Sequence, residues 1–302
     1  MDLTSSAEPK VIPIHPLPAQ EGQGGDVQSL YVAHEKIYPR TVTGLFARWR
    51  WLMVVITQLV FYGLPWLEWG QRQAVLFDLG ARRFYIMGIV LYPQDFIYPT
   101  ALLVISALSL FLFTAVAGRL WCGYACPQTV WTDLFILVER WVEGDRNARI
   151  RLHRQKWDAE KLRKRAVKWT VWFLIGLATG GAWIFYFADA PTLARDFLTG
   201  QAPAIAYSTV GVLTATTFIF GGFMREQVCI YMCPWPRIQG AMLDEESLIV
   251  TYNAWRGEPR MAGRKKAEAQ GLKVGDCIDC NNCVAVCPMG IDIRDGNQLE
   301  CI

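Results

Sequence analysis

Long apolar stretches alternate with polar segments along this chain, and they predict its architecture. The stretches cover residues 49–67, 97–117, 169–188 and 203–223, and none has a charged residue in its interior. Each is long enough for a helix that crosses a hydrocarbon core about 30 Å thick. Aromatic residues of the kind found at membrane interfaces lie near the ends, namely Trp49, Trp51, Trp66, Tyr98, Trp169, Tyr186 and Tyr207. The pattern predicts a mainly α, polytopic helical membrane protein with four transmembrane helices, and buried core helices are the alternative.

The segments around these stretches complete the predicted organisation. Residues 1–35 are rich in Pro, Gly, Gln and Ser and lack an apolar run, which indicates a disordered tail. Residues 36–243 form the predicted membrane domain. Residues 244–272 are polar and contain Gly and Pro, so they predict a linker. The linker leads into a short segment, 273–302, in which five cysteines lie.

Two further patterns predict elements between the long stretches. Over residues 130–142, apolar residues recur at helical spacing opposite acidic residues such as Glu139, which indicates an amphipathic helix. This helix would lie along the inner membrane interface or pack on the basic segment that follows. Strand-forming residues over 74–79 and 83–92, separated by a Gly-Ala pair, predict a short hairpin in the loop after the first stretch.

Charge sets the predicted orientation. Lys and Arg are dense in the segment 119–168, whereas 189–202 contains only Arg195. Because cytoplasmic loops carry the excess of Lys and Arg, the N-terminus, 119–168 and everything after residue 224 are predicted to face the cytoplasm. All nine Cys then lie in or at the edge of a reducing compartment, which argues against a disulfide framework. The net charge of +3 is too small to imply a nucleic-acid partner.

The last cysteine-rich segment has the spacing of a ferredoxin. The run C-x2-C-x2-C-x3-C-P is formed by Cys277, Cys280, Cys283 and Cys287, followed by Pro288. Bacterial ferredoxins use this spacing to hold a cubane iron–sulfur cluster, because short spacers turn several thiolates inward together. A structural zinc site is the alternative, although zinc sites favour two well-separated C-x-x-C pairs. The run predicts a cytoplasmic ferredoxin-like 4Fe–4S segment.

A second cluster is expected from the same pattern. In two-cluster ferredoxins the fourth Cys of such a run serves the other cluster, so Cys287 should pair with ligands from a second run. Cys301 would open that run, and the sequence ends at Ile302 before the other ligands. We therefore expect two clusters in a full-length chain, and a ferredoxin-like segment that is incomplete at the C-terminus of this sequence.

Two short cysteine motifs repeat earlier in the chain. Both have the form C-x-Y-x-C-P, and they consist of Cys122, Tyr124, Cys126 and Pro127 in the first copy and Cys229, Tyr231, Cys233 and Pro234 in the second. Each follows an apolar stretch on the same predicted membrane face, which indicates an internal repeat of a two-helix unit. Residues i and i+4 share a helical face, so each motif is predicted to present two thiols in one direction, and the two pairs could converge on one four-thiol site.

Thiolates at such a site favour soft metal chemistry. Candidates are Cu(I), zinc and iron–sulfur centres, and a site that prefers Cu(I) would also pull copper toward reduction. Small buried residues or an occasional disulfide are the alternatives. Arg119 and Arg225 precede the two motifs. They would either lower the thiol pKa by favouring thiolate or serve as interfacial anchors.

Other redox and transport chemistries lack their residues. The three histidines, His15, His34 and His153, all lie outside the apolar stretches, so no bis-His haem site is predicted. Without interior charges, the stretches offer no proton relay or ion path. A P-loop and a G-x-G-x-x-G fingerprint are also missing from the sequence.

Together these motifs resemble the cytochrome c oxidase accessory proteins of the CcoG family, also called FixG or RdxA. The resemblance runs from residue 36 onward, and its strongest parts are RLWCGYACPQTVW at 119–131, MREQVCIYMCP at 224–234, GDCIDC at 275–280 and GIDIRDG at 290–296. It implies a multi-pass protein of the bacterial inner membrane that is needed for assembly of a haem–copper oxidase. It also implies 4Fe–4S clusters that pass electrons toward reduction of Cu(II) to Cu(I), with copper as substrate or transient ligand.

The resemblance assigns roles by position. The implied cluster ligands are Cys277, Cys280, Cys283, Cys287 and Cys301, and the implied copper-binding and reducing residues are Cys122, Cys126, Cys229 and Cys233. Implied partners are membrane lipid, copper ions, copper chaperones or oxidase assembly factors, and an electron donor that the sequence does not identify. The family's remaining cysteine run, a further span and an immunoglobulin-like domain do not occur in this sequence.

Three functions are consistent with these residues. The first is a cupric reductase that serves oxidase assembly. The second is an electron-relay subunit between a cytoplasmic donor and a quinone or partner oxidoreductase, in which the paired thiols bind iron–sulfur centres and not copper. The third is a cluster-based sensor or scaffold without turnover.

Overall fold

The structure is a computed structural model that describes residues 36–244, 246–261, 269–271 and 273–296. The predicted disordered tail over 1–35 and the predicted ligand Cys301 lie outside the described residues. From Ile37 onward the chain forms one compact unit, and that unit is mainly helical.

The unit is built from helices joined by short connections. In chain order they are α1 (Leu45–Gly63), α2 (Ile97–Ala117), α3 (Leu120–Tyr124), α4 (Pro127–Glu143), α5 (Arg146–Arg154), α6 (Ala159–Ile184), α7 (Ala190–Thr199), α8 (Ala204–Gly222), α9 (Arg225–Gln227), α10 (Trp235–Met242), α11 (Ala254–Gly257) and α12 (Asn282–Val286). A π-helical turn, Val228–Met232, continues α9, and 3-10 turns cover Leu64–Trp66, Pro93–Phe96 and Ile293–Asp295.

Three helical segments are long and apolar enough to cross a membrane, judged by length and composition. They are Pro93–Ala117, Ala159–Ile184 and Ala204–Gly222. On α2, leucines such as Leu103 and Leu108 are 67% and 62% exposed, which gives a large apolar surface for lipid to cover. These helices correspond to three of the four predicted spans. The fourth prediction falls on α1, whose first half carries Arg48 and Arg50, and it stays a prediction.

Two of the helices begin earlier than the hydropathy pattern predicted. Helix α6 starts at Ala159, well before the apolar stretch at residue 169, because its polar first turns are also helical. Helix α1 covers Leu45–Gly63, and Pro65 then sets a 3-10 turn where the prediction continued the span to residue 67. Hydropathy marks the part of a helix that suits lipid, whereas the helix itself extends into polar sequence.

The core lies where α4, α6 and α8 meet. Helices α6 and α8 pack closely through glycines, since a Cβ added at Gly180 would lie 2.9 Å from the carbonyl oxygen of Val210. Phe135 of α4 and Trp172 of α6 are almost fully buried, and the Trp172 indole N–H donates to the Phe135 carbonyl at 3.2 Å. The predicted amphipathic helix is therefore present as α4, and its apolar face packs inside the protein.

The predicted hairpin is also present, with one more strand. Strands β1 (Glu68–Trp69) and β2 (Arg72–Gln73) form an antiparallel pair, and β3 (Val75–Asp78), β4 (Arg83–Ile86) and β5 (Ile89–Leu91) form an antiparallel sheet in that order. The second predicted strand is split in two because Met87 adopts a positive φ of 53° ahead of Gly88.

Candidate iron–sulfur and thiol site

The first cysteine motif lies at a break between helices. Helix α2 ends at Ala117, and Gly118 turns the chain with a φ of 57°. Cys122 lies in α3, whereas Cys126 is the N-cap of α4, with Pro127 as its first helical residue. The prediction that both thiols share one face of a continuous helix is therefore wrong for this motif. Gly118 and Pro127 interrupt the helix on either side of it.

The second motif lies in the π-helical turn Val228–Met232, and Cys233 follows its last residue. The N–H of Cys233 donates to the Val228 carbonyl at 2.8 Å, and the N–H of Cys126 donates in the same way to the Trp121 carbonyl at 2.9 Å. Both bonds reach back five residues, one more than in an α-helix. The two motifs therefore share a wide turn as well as a sequence, and wide turns of this kind are frequent at functional sites.

The four thiols of these motifs lie in one electrostatic neighbourhood. Cys122 is buried and the other three are half-buried. Burial raises the pKa of Cys122 to about 12, and the thiols of Cys126, Cys229 and Cys233 act in the same direction. Burial likewise raises the pKa of Cys229 to about 11, with contributions from Cys126 and Cys233. The two pairs are therefore close enough to influence each other's ionisation.

Arg119 and Arg225 do not lower the pKa of Cys122 or Cys229 below the usual thiol range. Arg119 acts to lower the pKa of Cys122, but burial outweighs it. Arg225 is buried between carboxylates, and the carboxylate of Glu226 helps to raise the pKa of Cys229. Of the two roles predicted for the arginines, thiol activation is not observed. A metal ion that bound these thiols would have to displace their protons.

Cys122 also links the two copies of the repeat. Its thiol donates to Oε1 of Gln239 at 3.2 Å, and Gln239 lies on α10, the helix that follows the second motif in the chain. The Gln239 amide donates in turn to Oγ1 of Thr114 on α2 at 3.3 Å. The Thr129 hydroxyl donates to the Cys122 carbonyl at 2.6 Å. Gln239 is fully buried, so this contact is part of the interior.

A buried ion network, which the sequence did not predict, lies beside the second motif. Glu139 of α4 was placed on the polar face, yet it is fully buried. Its carboxylate pairs with Arg149 at 2.9 Å, with Arg225 at 3.0 Å and, more distantly, with Lys168 at 3.8 Å. The spacing of residues could have predicted this burial. Glu139 lies four residues after Phe135, so both side chains lie on the face of α4 that packs in the core.

The ferredoxin-like run folds as a loop with one helical turn, α12, which carries Cys283. Asp279 and Asn281 adopt left-handed conformations, with φ of 51° and 55°. The guanidinium of Arg294 donates to both of their side chains and to Oδ1 of Asp292 at 2.7 Å. The same contact lowers the pKa of Asp292 to about 2. Arg294 thus closes the loop that holds the first three cysteines of the run.

An N-terminal segment, residues 37–40, ties this loop to the membrane domain. The N–H of Arg40 donates to the Ala285 carbonyl at 2.8 Å. On its other side, Arg149 of α5 donates to the Pro39 carbonyl at 2.6 Å, and Arg146 donates to the Tyr38 carbonyl at 3.0 Å. The segment therefore lies between the ferredoxin-like loop and α5.

The donor chemistry of both cysteine groups suits an iron–sulfur or copper centre. Four thiolates are the ligand set of a 4Fe–4S cluster, and thiolates also select Cu(I). Within the described ranges, no group of three or more His, Cys, Asp or Glu side chains lies close enough together to hold a metal ion. The ligand roles of the eight described cysteines stay predictions from the sequence.

Comparison with protein families points to iron–sulfur chemistry in two parts of the chain, each of which contains one of the paired cysteine motifs. A 4Fe-4S dicluster domain matches residues 224–302, and a 4Fe-4S binding domain matches residues 99–146. The first range contains the second paired motif and the ferredoxin-like run. Cys122 and Cys126 are the only cysteines in the second range.

Three curated proteins are similar over most of this chain. Nitrogen fixation protein FixG of Rhizobium meliloti is 59% identical over 278 residues, which are 90% of this chain and 53% of the relative. Protein RdxB of Cereibacter sphaeroides is 61% identical over 278 residues, 90% of this chain and 58% of the relative. Protein RdxA of the same organism is 55% identical over 280 residues, 91% and 58% respectively. No solved structure matches.

The apolar helices and the two iron–sulfur domains define a membrane-associated iron–sulfur electron-transfer protein. Within that class the chain is similar to the FixG and RdxA proteins, and the resemblance that its motifs indicated is confirmed. The chain spans a little more than half the length of the curated relatives it matches.

Proposed function

We propose that this chain is the electron-transfer part of a cupric reductase that supplies Cu(I) for assembly of a haem–copper cytochrome c oxidase. The observation that supports the proposal is that the two C-x-Y-x-C-P motifs share a backbone turn as well as a sequence, with the N–H groups of Cys126 and Cys233 each donating to a carbonyl five residues back. Thiolates are soft ligands that bind Cu(I) more tightly than Cu(II), so a site formed by these motifs would favour reduction of the bound ion.

The reduction needs one electron for each copper ion, which a cytoplasmic reductant must supply. Cys277, Cys280, Cys283 and Cys287 would hold a 4Fe–4S cluster, and a partner run that includes Cys301 would complete a second one. When bound, such clusters accept and release single electrons. The chain's own contribution is to hold the cysteine loop with Arg294 and to keep the paired thiols partly shielded from water, with Cys122 buried and the other three half-buried.

We also propose the topology that delivers copper to oxidase assembly. The chain would cross the bacterial inner membrane several times, with its N-terminus and cysteine motifs in the cytoplasm. The concentration of Lys and Arg in α5 and the first turns of α6 supports this orientation. The Cu(I) product would pass to a copper chaperone or oxidase assembly factor.

Anaerobic reconstitution tests the proposal. The purified protein would be loaded with iron and sulfide, reduced, and given Cu(II), and Cu(I) would be followed with a specific chelator. We expect chelatable Cu(I) to form as reoxidation of the clusters restores the visible absorbance that they lost on reduction. A Cys122→Ser/Cys126→Ser variant should lose copper binding and reduction, whereas Ala125→Ser, a change within the same turn that removes no thiol, should retain both. No copper bound or reduced by the intact protein would contradict the proposal.

A second candidate is an electron relay that does not use copper. It is favoured by the 4Fe-4S binding domain that matches residues 99–146, because Cys122 and Cys126 are the only thiols there. In that case the paired motifs would hold iron–sulfur centres. The same Cys122→Ser/Cys126→Ser variant separates the two functions, since it should lower bound iron in the relay and leave iron unchanged in the cupric reductase.

A further inference from the structure

A large cavity lies between the membrane domain and the ferredoxin-like loop. Its volume is about 720 Å³. One wall includes Gly123 and Tyr124, which lie between the first two paired cysteines, and another includes Val286 and Pro288, which flank Cys287. Ala117, the last residue of the candidate span α2, also lines the cavity. The cavity therefore adjoins both cysteine groups and the end of a helix suited to cross the membrane.

The charges around this cavity are predominantly positive. Four arginines line it, namely Arg40, Arg50, Arg119 and Arg140, and Asp133 is the one carboxylate among the lining residues that the structure describes. Asp133 is already engaged by Arg50, which approaches its two oxygens at 2.5 Å and 2.8 Å. The cavity therefore has more guanidinium groups than its own carboxylate can balance.

Two of these arginines are the best candidates to meet an anion. In the described part of the chain, neither Arg40 nor Arg140 forms an ion pair with a carboxylate. Arg140 is half-buried, and burial and the nearby charge of Arg149 lower its pKa more than the carboxylates of Asp145 and Asp133 raise it. A cation in this position is stabilised when an anion enters beside it. Guanidinium groups suit phosphate oxygens especially well because they donate in a planar fork.

The rest of the lining is apolar. Side chains of α1, of α3 and of the segment after α10 contribute, among them Phe46, Trp51, Leu120, Leu248 and Ile249. A small inorganic anion would leave this surface uncovered, and a purely apolar ligand would leave the arginines unmatched. The ligand that satisfies both parts of the cavity has an anionic head and an apolar body.

We propose that the cavity binds the phosphate headgroup of an anionic membrane phospholipid. The phosphodiester lies beside Arg40 and Arg140, and the acyl chains leave along α1 and the end of α2 into the surrounding lipid. The headgroup then fills the space between the ferredoxin-like loop and the first thiol pair. Anionic lipid is therefore part of what holds the loop on the membrane domain, whether or not copper is the substrate.

The proposal is tested by lipid binding to the full chain. The probes are phosphatidylglycerol and phosphatidylcholine of the same acyl length, added to delipidated protein in mild detergent and measured by native mass spectrometry and thermal unfolding. We expect phosphatidylglycerol to bind and to raise the unfolding temperature, and phosphatidylcholine to do neither. Binding to Arg40→Gln/Arg140→Gln should be about tenfold weaker, since charge-assisted contacts to the phosphate are lost.

Matched variants keep the result interpretable. Arg163→Gln removes the same charge from an exposed site on α6 and should bind phosphatidylglycerol as the parent protein does. If the double variant fails to fold, Arg40→Gln alone carries the test, because Arg40 is exposed. Unchanged binding by a folded variant would overturn the proposal. So would equally tight binding of glycerol 3-phosphate, which indicates a free-phosphate site, or displacement of the lipid by a neutral quinone.

Discussion

Glu139 and Arg225 form an ion pair of 3.0 Å in the interior, with side chains only 1% and 3% exposed. Glu139 lies on α4, which follows the first cysteine motif, whereas Arg225 lies four residues before Cys229 of the second. The carboxylate also pairs with Arg149, which holds the segment 37–40 through the Pro39 carbonyl. One buried carboxylate therefore joins both cysteine motifs to the segment that supports the ferredoxin-like loop.

Removal of this carboxylate should be costly. Glu139→Gln leaves Arg149 and Arg225 buried without their shared partner, and loss of one member of a buried ion pair typically costs about 3–5 kcal/mol. We expect a decrease of that size in the free energy of unfolding, measured by denaturant titration in detergent. Glu160→Gln, which removes a carboxylate from an exposed pair with Lys164, should leave the stability unchanged. Equal stability of the two variants would contradict the assignment.

Close packing of α6 on α8 gives a second prediction. Gly180→Val should destabilise the pair because even a Cβ at this position lies 2.9 Å from the Val210 carbonyl oxygen. Overpacking of this kind costs about 1–3 kcal/mol. Gly181→Val is the control, since nothing lies within 4 Å of a Cβ added there. The unfolding temperatures of the two variants test this prediction. A lower unfolding temperature for Gly181→Val than for Gly180→Val would contradict it.

The turn at Gly118, which precedes Cys122, gives a third prediction. Gly118 has a positive φ of 57°, and a Cβ there would lie 3.0 Å from the Leu248 carbonyl oxygen. Gly118→Ala should therefore destabilise the turn by about 1–2 kcal/mol and displace α3 with its thiol. Gly123→Ala, where a Cβ meets nothing within 4 Å, should be tolerated. The measurements are metal content per chain and the unfolding temperature. Equal values for the two variants would contradict the role assigned to the turn at Gly118.

The sequence predicted the parts of this fold that depend on local patterns. The apolar stretch at 97–117 coincides with α2, and the strand pattern after α1 coincides with the antiparallel sheet. Cysteine spacing and the repeated motif also indicated the resemblance to FixG and RdxA, because the spacing of cysteines can be read directly from the order of residues along the chain.

What the sequence did not predict depends on contacts between distant segments. Glu139 was assigned to a polar face, and its burial follows from Arg149 and Arg225, which tertiary structure brings to it. The thiols of Cys122 and Cys126 were placed on one helical face, but Gly118 and Pro127 divide that region into two helices. The wide turns were also not predicted. Backbone hydrogen bonds that reach back five residues, as at Cys126 and Cys233, do not depend on a particular residue type.

A fourth prediction concerns the ferredoxin-like loop. Arg294→Lys keeps the charge but removes the planar fork that contacts Asp279, Asn281 and Asp292 together. Loss of contacts that orient metal ligands typically weakens a metal site by about tenfold or more. We expect faster loss of iron to a chelator, followed by absorbance.

The control for this loop is Arg195→Lys, an exposed arginine on α7, which should release iron at the parent rate. Equal rates for Arg294→Lys and the parent protein would show that the fork is not needed to hold the loop.

The hydrogen bond from Cys122 to Gln239 sets an order of events during biosynthesis. Gln239 follows α8 in the chain, so the first thiol pair is synthesised before the residue that accepts the hydrogen bond of Cys122. The paired thiols can meet only after α6 and α8 have been inserted beside each other. Under the proposed metal-binding role, a nascent chain that ends before Cys229 would offer only half of the site, so metal loading would follow synthesis of both motifs.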